Sequence, residues 1–110
     1  MENNGKLEKG FYYHYKHDPQ GKINNYAYYV VGLGFHTEIE NKEDREMVIY
    51  LPLYPEAFVY QNGKAFDIRP LKMFQEKVIL SEKEIFRFTK ITDDLIIEAL
   101  SEIKREMYGE

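Results

Sequence analysis

A run of aromatic residues that alternates with a period of two is the feature that most constrains the fold of this chain. It extends from position 11 to 16 and carries Phe11, Tyr13 and Tyr15 on one side and Tyr12, His14 and Lys16 on the other. Successive side chains of a β-strand point to opposite faces, so the run predicts a strand with one partly polar face. Tyrosine suits such half-buried positions because its ring packs while its hydroxyl stays in contact with water.

The longest predicted strand follows, from Tyr26 to His36. Alternation assigns one face to Tyr29, Val31, Leu33 and Phe35, and the other to Tyr28, Val30, Gly32, Gly34 and His36. Two glycines on one face predict a bend or a close approach by another backbone, as small barrels require at their corners. We expect this bend to shape a pocket.

Shorter elements are predicted along the middle of the chain. A strand is expected from Glu46 to Leu51, and the Asn-Gly pair at 62–63 predicts a β-hairpin that joins 57–60 to 64–68. The segment 70–74 begins with proline, which is well tolerated at a first helical position, and predicts one helical turn. Two more strands are expected at 77–80 and 85–89.

The final segment changes period and predicts an amphipathic helix over residues 92–108. Its apolar residues at helical spacing are Ile96, Leu100, Ile103 and Met107. Thr92 is the expected N-cap, and Gly109 follows the predicted end. The stripe can pack on the rest of the same chain or on a second subunit, so both a monomer and a homodimer through this helix stay open.

These elements together predict a mainly β, α+β fold. We expect a small, SH3-like, partly open β-barrel over residues 9–91, containing a short helical turn, with the amphipathic helix at 92–108 covering one end or pairing with a partner. A chain of 110 residues fits one domain and can bury roughly 65% of its unfolded surface, which is enough for a modest core.

Composition excludes several function classes. The sequence has no cysteine, so it can form neither disulfides nor thiolate metal sites, and a reducing cytoplasm is the expected location. No apolar stretch has the length of a membrane span or of a signal peptide. With 15 basic and 19 acidic residues, the formal net charge of −4 disfavours nonspecific binding to nucleic acid or to an anionic membrane.

The chain resembles a family of small uncharacterised proteins, DUF1653. The resemblance covers about residues 9–89, and the ordered blocks that carry it are Gly10-x-Tyr12-x-His14-Tyr15-Lys16, His36-Thr37-Glu38, Met47-Val48-Ile49-Tyr50-x-x-Leu53-Tyr54, Ile68-Arg69-Pro70-Leu71-x-Met73-Phe74 and Arg87-Phe88. It implies an SH3-like barrel and supplies neither a biochemical activity nor catalytic residues. The shared surface that it implies consists of His14, Tyr15, Lys16, His36, Thr37, Glu38, Tyr50, Tyr54, Arg69 and Pro70.

This sequence departs from the family's pattern at several positions. Tyr13 stands where the family usually has Arg, and Asp67 stands where an aromatic residue is typical. A ligand that needs that Arg or that aromatic residue in other members would be bound differently here.

Two clusters are candidate sites. His36-Thr37-Glu38 ends a strand, so Glu38 could orient His36 as a general base, although the same residues could simply clamp the strand end by hydrogen bonds. The second cluster has Tyr12, His14 and Lys16 on one face, where they could meet Arg69 in a cationic notch for a carboxylate or phosphate. Alternatively, Lys16 extends into solvent and Arg69 pairs with Asp67.

Other chemistries find less support in the sequence. The only imidazoles are His14, His17 and His36, too few and too dispersed to predict a metal site, and no cofactor motif is present. No serine lies in a nucleophile elbow. Tyr12, Tyr28 and Tyr50 could stack bases of single-stranded nucleic acid if they were exposed, but packing within the barrel wall is the simpler interpretation.

We therefore predict a non-enzymatic binding module for a small polar or anionic molecule or a peptide. The predicted ligand-binding residues are Tyr12, His14, Tyr15, Lys16, His36, Thr37, Tyr50 and Arg69. One alternative is a small enzyme that uses His36 and Glu38 for acid–base chemistry with Arg69 as a stabilising cation. A single-stranded nucleic-acid adaptor is the third hypothesis.

Overall fold

Seven strands in two antiparallel sheets, together with three short or medium helices, form the part of the chain that the computed structural model describes, residues 7–63 and 65–109. The strands are β1 (Gly10–His14), β2 (Ala27–Phe35), β3 (Glu46–Pro52), β4 (Asp67–Pro70), β5 (Lys77–Leu80), β6 (Lys83–Phe86) and β7 (Phe88–Lys90). The helices are α1 (Phe58–Gln61), α2 (Leu71–Phe74) and α3 (Asp94–Tyr108), and a 3-10 turn covers Lys42–Asp44.

The main sheet has five strands in the order β4-β3-β2-β1-β7, and all of its neighbouring strands are antiparallel. Strands β5 and β6 form a separate two-stranded hairpin. The predicted α+β class is confirmed. Since β4 and β7 lie at opposite edges and do not pair, the sheet is open and forms no closed barrel within the described residues.

A β-bulge interrupts the longest strand. Val30 pairs with Tyr50, but Gly32 pairs with Ile49, so Val31 is an extra residue on β2. Because paired residues share a face, everything after the bulge changes side. The glycines thus lie on the face opposite to Val30, and strict alternation, which placed them on the same face, is wrong beyond the bulge. The predicted distortion of the strand is present at this point.

The sheet has two differently covered faces. The aromatic face carries Tyr12, Tyr28, Val30, Val48, Tyr50 and Phe88, and the short helix α2 covers it with Leu71 and Phe74. The helix face carries Phe11 and Ala27. These residues pack with Leu53 after β3, with Ile91 before α3 and with Leu100 of α3. Burial of each large apolar side chain contributes about 1.5–3 kcal/mol relative to leaving it exposed, so these two clusters form the core of the fold.

The N-cap of helix α3 lies one residue later than predicted. Asp93, not Thr92, caps it, because its Oδ1 accepts hydrogen bonds from Leu95 N at 2.9 Å and Ile96 N at 3.2 Å. The predicted Gly109 ends the helix in the left-handed region, at φ 86°. Leu100 is fully buried against the helix face of the sheet.

The predicted hairpin around Asn62-Gly63 is wrong. Residues 58–61 form α1, which buries Val59, and the Asn-Gly pair ends this helix instead of turning a hairpin. Asn62 caps α1 through Nδ2, which donates to Phe58 O at 3.0 Å, and Gly63 has φ 122°. Lys64, the first residue of the predicted second strand, lies outside the described residues. The next strand, β4, pairs with β3.

The segment after β4 follows the sequence prediction more closely. The helical turn predicted at 70–74 is confirmed as α2, with Pro70 as its N-cap. The strand predicted at 77–80 is β5, whereas the strand predicted at 85–89 divides at Arg87. Residues before Arg87 pair with β5, and residues after it pair with β1. A tight turn with positive φ at Ser81 and Glu82 joins β5 to β6.

Candidate functional site

A group of rings surrounds His14 at the end of β1, on the aromatic face. The ring centroid of His14 lies 4.6 Å from that of Tyr15, 5.4 Å from that of Tyr26 and 5.1 Å from that of Phe88. Tyr26 in turn lies 6.4 Å from Tyr54, and a shallow cavity of about 270 Å³ opens between these two tyrosines and Asn25. We name as the aromatic notch the group of neighbouring side chains His14, Tyr26, Tyr50, Tyr54, Arg69 and Phe88, of which Tyr50 and Phe88 are buried.

Arg69 provides the cation of the aromatic notch. It stands on β4 opposite Val48, and its guanidinium carbon lies 5.5 Å from the centre of the Phe88 ring. Its Nε donates one long hydrogen bond, 3.4 Å, to the hydroxyl of Tyr50. Among the described residues no carboxylate forms a salt bridge with Arg69. A guanidinium in this situation retains most of its donors for a ligand.

The alternative pairing of Arg69 with Asp67 is not formed as a contact. The two residues share the aromatic face, because they pair with Val48 and Tyr50 respectively. Burial raises the pKa of Asp67, and the nearby charge of Arg69 opposes that rise. The two groups therefore interact electrostatically without forming a salt bridge.

His14 is a neutral imidazole near two arginines. Burial, followed by the charges of Arg87, Arg69 and Lys16, lowers its pKa to about 4. The backbone N–H of Lys16 donates to Nδ1 at 3.1 Å, so the proton of the neutral ring belongs on Nε2. His14 can consequently donate a hydrogen bond but carries no charge near neutral pH.

Tyrosine hydroxyls supply further neutral polar groups. The hydroxyls of Tyr28 and Tyr54 lie 2.7 Å apart and share a hydrogen bond. Burial, together with this hydrogen bond, raises the pKa of Tyr28, and burial also raises the pKa of Tyr54. Both phenols therefore stay protonated, which makes them hydrogen-bond donors and not nucleophiles.

Arg87 connects the notch to the β5–β6 hairpin. Its Nη2 contacts Glu76 Oε1 at 3.1 Å, while its carbonyl accepts a hydrogen bond from Tyr15 N at 2.8 Å. Its Nε is buried and has no hydrogen-bond partner within the described chain. An unsatisfied buried donor is unfavourable, so a ligand atom or a water molecule that reached it would be stabilised.

The structure brings together half of the residues predicted to bind a ligand. Tyr12, His14, Tyr50 and Arg69 lie on the aromatic face, in the core cluster or in contact with it. Tyr12 is buried, and its hydroxyl donates to Glu8 O at 2.8 Å, so its hydroxyl already has a partner within the chain.

Tyr15 and Lys16 lie just beyond β1. The Tyr15 ring contacts His14, and Lys16 is exposed with its Nζ 6.0 Å from the centre of the Tyr15 ring. This exposed position agrees with the alternative that Lys16 extends into solvent. Its charge adds, after burial and the charges of Arg87 and Arg69, to the lowering of the pKa of His14.

The His36-Thr37-Glu38 segment lies away from the notch. All three residues are exposed, and His36 Nδ1 accepts a hydrogen bond from the backbone N–H of Glu38 at 3.2 Å. The backbone N–H of His36 donates to Arg45 O at 2.8 Å. These bonds form the strand-end clamp that the sequence left open as an alternative. Strand spacing places the Cα atoms of His36 and Arg69 roughly 14 Å apart, so the two residues are not neighbours in the sheet.

Two residues of the notch were missed by sequence reasoning. Tyr26 was read as the first residue of a strand, but it has φ 53° and lies just before β2, so its ring stacks on His14. Phe88 was noted only as part of the Arg87-Phe88 block of the resemblance. No local signal showed that the strand would leave the hairpin at Arg87 and carry Phe88 into the main sheet.

Two further findings concern metals and membranes. Within the residues that the structure describes, no group of three or more His, Cys, Asp or Glu side chains is arranged to hold a metal ion. In the same part of the chain, no helix combines the length and the apolar character needed to cross a bilayer.

Comparisons with known proteins agree with the resemblance seen in the sequence. The family described as "Protein of unknown function (DUF1653)" matches residues 10–90. A crystal structure of a DUF1653 protein from Bordetella bronchiseptica is similar at a TM-score of 0.54 and 26% sequence identity, over 79% of this chain and 94% of that chain. No curated protein matches this chain.

Proposed function

Because this chain belongs to the DUF1653 family, and because the matched segment contains every residue of the aromatic notch, we propose that it is a binding module for a small polar carboxylate held by Arg69. The observation that carries this proposal is a half-buried guanidinium with no carboxylate partner in the described chain, surrounded by neutral donors. The planar fork of arginine matches a carboxylate in a bidentate geometry.

The charges around Arg69 favour a single negative charge in the ligand. His14 is neutral near pH 7, and Asp67 lies on the same face two residues before Arg69. The Asp67 carboxylate repels a dianion such as phosphate more strongly than it repels a monoanion. Tyr28 and Tyr54 use one O–H for the hydrogen bond between them, so the pair has one O–H left, and this group and His14 Nε2–H can donate to polar atoms in the rest of the ligand.

The enzyme hypothesis is less well supported by the geometry. His36 and Glu38 are exposed and bonded to each other only through a backbone N–H, and neither lies near Arg69. The nucleic-acid hypothesis requires exposed tyrosines, but Tyr12, Tyr28 and Tyr50 are buried to 6–8% exposure. Neither alternative is proposed further.

The proposal is tested with N-acetylglycine as the carboxylate probe and N-acetylglycinamide as its uncharged control. Binding is followed by two-dimensional ¹H–¹⁵N NMR, including the side-chain Nε–H signal of Arg69. We expect the carboxylate to shift this signal, and Arg69→Ala to weaken binding by about tenfold or more, since a charge-assisted hydrogen bond contributes about 1.5–3 kcal/mol.

Two control variants make the result specific. Arg105→Ala removes an exposed arginine on α3 that pairs with Glu102, and His36→Ala removes the imidazole of the strand-end clamp. Both should bind the probe like the unmodified protein. Equal binding of the carboxylate and the amide, or equal binding by Arg69→Ala, would overturn the proposal. Native mass spectrometry of freshly purified protein would complement this test by reporting co-purified small molecules and subunit number.

A further inference from the structure

A second cavity lies on the other side of the molecule, between the helix face of the sheet and α3. Its volume is about 360 Å³, which is within the range of small-molecule sites. The residues that line it are Lys9, Tyr29, Val31, Leu51, Phe66, Lys104 and Tyr108. It shares no residue with the aromatic notch.

The walls of this cavity are apolar and aromatic. Tyr29 of β2 and Leu51 of β3 are paired and lie side by side on the helix face. The bulged residue Val31 lines the cavity next to them. Phe66, which is 55% exposed, forms the outer rim beside β4. The Tyr108 hydroxyl donates to Pro52 O at 2.7 Å, so its ring presents its apolar body to the space.

Two of the lining residues are lysines, and none of the described lining residues is acidic. The Lys104 ammonium lies 4.6 Å from the centre of the Tyr29 ring, which holds its charge over the cavity wall. Lys9 forms no salt bridge with any described residue, and its Cε lies near the space left by the missing side chain of Gly32. Asp67 acts on Tyr108 electrostatically but does not line the cavity.

The β-bulge explains why the space exists. It moves Gly32 onto the face where Val31 already stands, so two successive positions of β2 contribute only one side chain to that face. The stripe of α3 packs on β1 and the start of β2 through Leu100. On the same face, Leu51 of β3 is buried, whereas Ile68 of the edge strand β4 is 62% exposed.

From this combination we infer that the cavity is a second ligand site, one that takes a flat aromatic carboxylate whose ring lies between Tyr29 and Phe66 and whose carboxylate meets Lys9 and Lys104. Aromatic walls favour a flat apolar body, and two ammonium groups among the lining residues favour a negative charge on the ligand. This site does not depend on the proposed function of the notch.

The test uses 2-naphthoate as the probe and 2-naphthamide, which has the same rings without the charge, as its control. Binding is measured by NMR through the methyl signals of Val31 and Leu51. We expect naphthoate to shift these signals and to bind about tenfold more tightly than naphthamide, in line with one charge-assisted contact. Lys9→Met and Lys104→Met should each weaken naphthoate binding several-fold while leaving naphthamide binding unchanged.

Matched controls separate this site from general surface effects. Lys83→Met removes an exposed lysine on β6, and Lys72→Met removes an exposed lysine on α2 that pairs with Asp44. Neither should change naphthoate binding. Val31→Phe should fill the cavity and abolish binding of both probes, and the lysine variants keep the test valid if this one folds poorly. Equal affinity for the two probes, or shifts confined to the residues of the aromatic notch, would overturn the inference.

Discussion

At the residue scale, His14 illustrates how tertiary surroundings set the chemistry of one side chain. The sequence predicted a basic group on a polar face, next to Lys16. The structure surrounds the imidazole with three rings, and burial together with nearby cations lowers its pKa to about 4. The residue is therefore a neutral hydrogen-bond donor near pH 7, and the proposed binding function assigns the positive charge of the notch to Arg69.

The lowered pKa of His14 leads to a testable dependence of stability on pH. The folded state disfavours the protonated ring, so the unfolded state binds more protons between pH 6.5 and about 4. The free energy of unfolding should therefore fall as the pH falls through this window, by about 1–2 kcal/mol after allowance for solvent screening of a half-buried ring. Urea denaturation at several pH values measures it.

The comparison variant for this prediction is His14→Gln, which removes the titrating ring and keeps a polar side chain. Its stability should change less than that of the unmodified protein between pH 6.5 and 4. Asp67, whose raised pKa acts in the opposite direction at acid pH, is present in both proteins and so cancels in the difference. Identical pH profiles for the two proteins would contradict the assignment.

The tyrosines show the limit of reasoning from alternation alone. The pattern placed Tyr12, Tyr28 and Tyr50 on one face, and all three do belong to the cluster on the aromatic face. What the pattern did not contain is that α2 covers this face and that Phe88 of β7 packs beside the tyrosines. A side chain that is predicted to be exposed from the alternation of a single strand is thus buried in the sheet, with an exposed fraction of 6–8%.

At the element scale, α3 was predicted closely from its period, but its first residue was not. Thr92 and Asp93 are both good N-caps, and the sequence does not show which backbone position starts the helix. In the structure Ile91 N bonds to Phe11 O, which keeps residue 91 in an extended conformation beside β1. This leaves Asp93 at the position where its carboxylate meets two free N–H groups.

The two candidate caps give a direct mutational test. Asp93→Ala should reduce the free energy of unfolding by about 1 kcal/mol, because two backbone donors lose their acceptor and the helix N-terminus loses a favourable charge. Thr92→Ala should change it by less than about 0.5 kcal/mol, as expected for an exposed residue with no structural role. Thermal and urea denaturation of both variants provide the measurement. A larger effect at Thr92 would mean that the helix starts earlier.

The failed hairpin at 57–68 has a different physical cause. The Asn-Gly pair was correctly read as a chain reversal, but a positive φ also suits the end of a helix, and local sequence does not distinguish the two uses. Burial of Val59 on one turn of helix, and pairing of β4 with β3, decide the outcome. Both are contacts with residues distant in the sequence.

At the scale of the whole molecule, the fold has a well-packed sheet and a weakly attached hairpin. Val30 and Val48 are fully buried at the centre of the sheet, whereas Ile79 is 75% exposed on the β5–β6 hairpin. The hairpin is held at its base by the Arg87 N to Glu76 O hydrogen bond and by the salt bridge between the same two residues. A two-stranded sheet with little buried surface is only marginally stable by itself.

We therefore predict unequal protection in amide hydrogen exchange. Peptides that cover β5 and β6 should exchange at least about tenfold faster than peptides that cover the centres of β2 and β3, since local opening of the hairpin exposes little apolar surface. Hydrogen exchange measured by mass spectrometry over seconds to hours checks this. Equal protection of the hairpin at high protein concentration, lost on dilution, would instead show that a second copy covers its exposed residues.

The sequence by itself determined the secondary structure with strong periods, which is the aromatic strand β1, the long strand β2 and the amphipathic helix α3, and Pro70 indicated the helical turn α2. It also determined the family, through blocks in one fixed order, and it identified Tyr12, His14, Tyr50 and Arg69 as neighbours. These features depend on local spacing or on the residue types that a single strand or helix presents to one face.

Only the tertiary structure decided that the sheet stays open, that β2 changes face at Val31, that the His36 clamp lies away from Arg69, and that α3 leaves a cavity beside it. Each of these depends on which strands pair and in which register. Register is a cooperative property of residues far apart in the chain, and a shift by one position reverses every face, so no local pattern contains it.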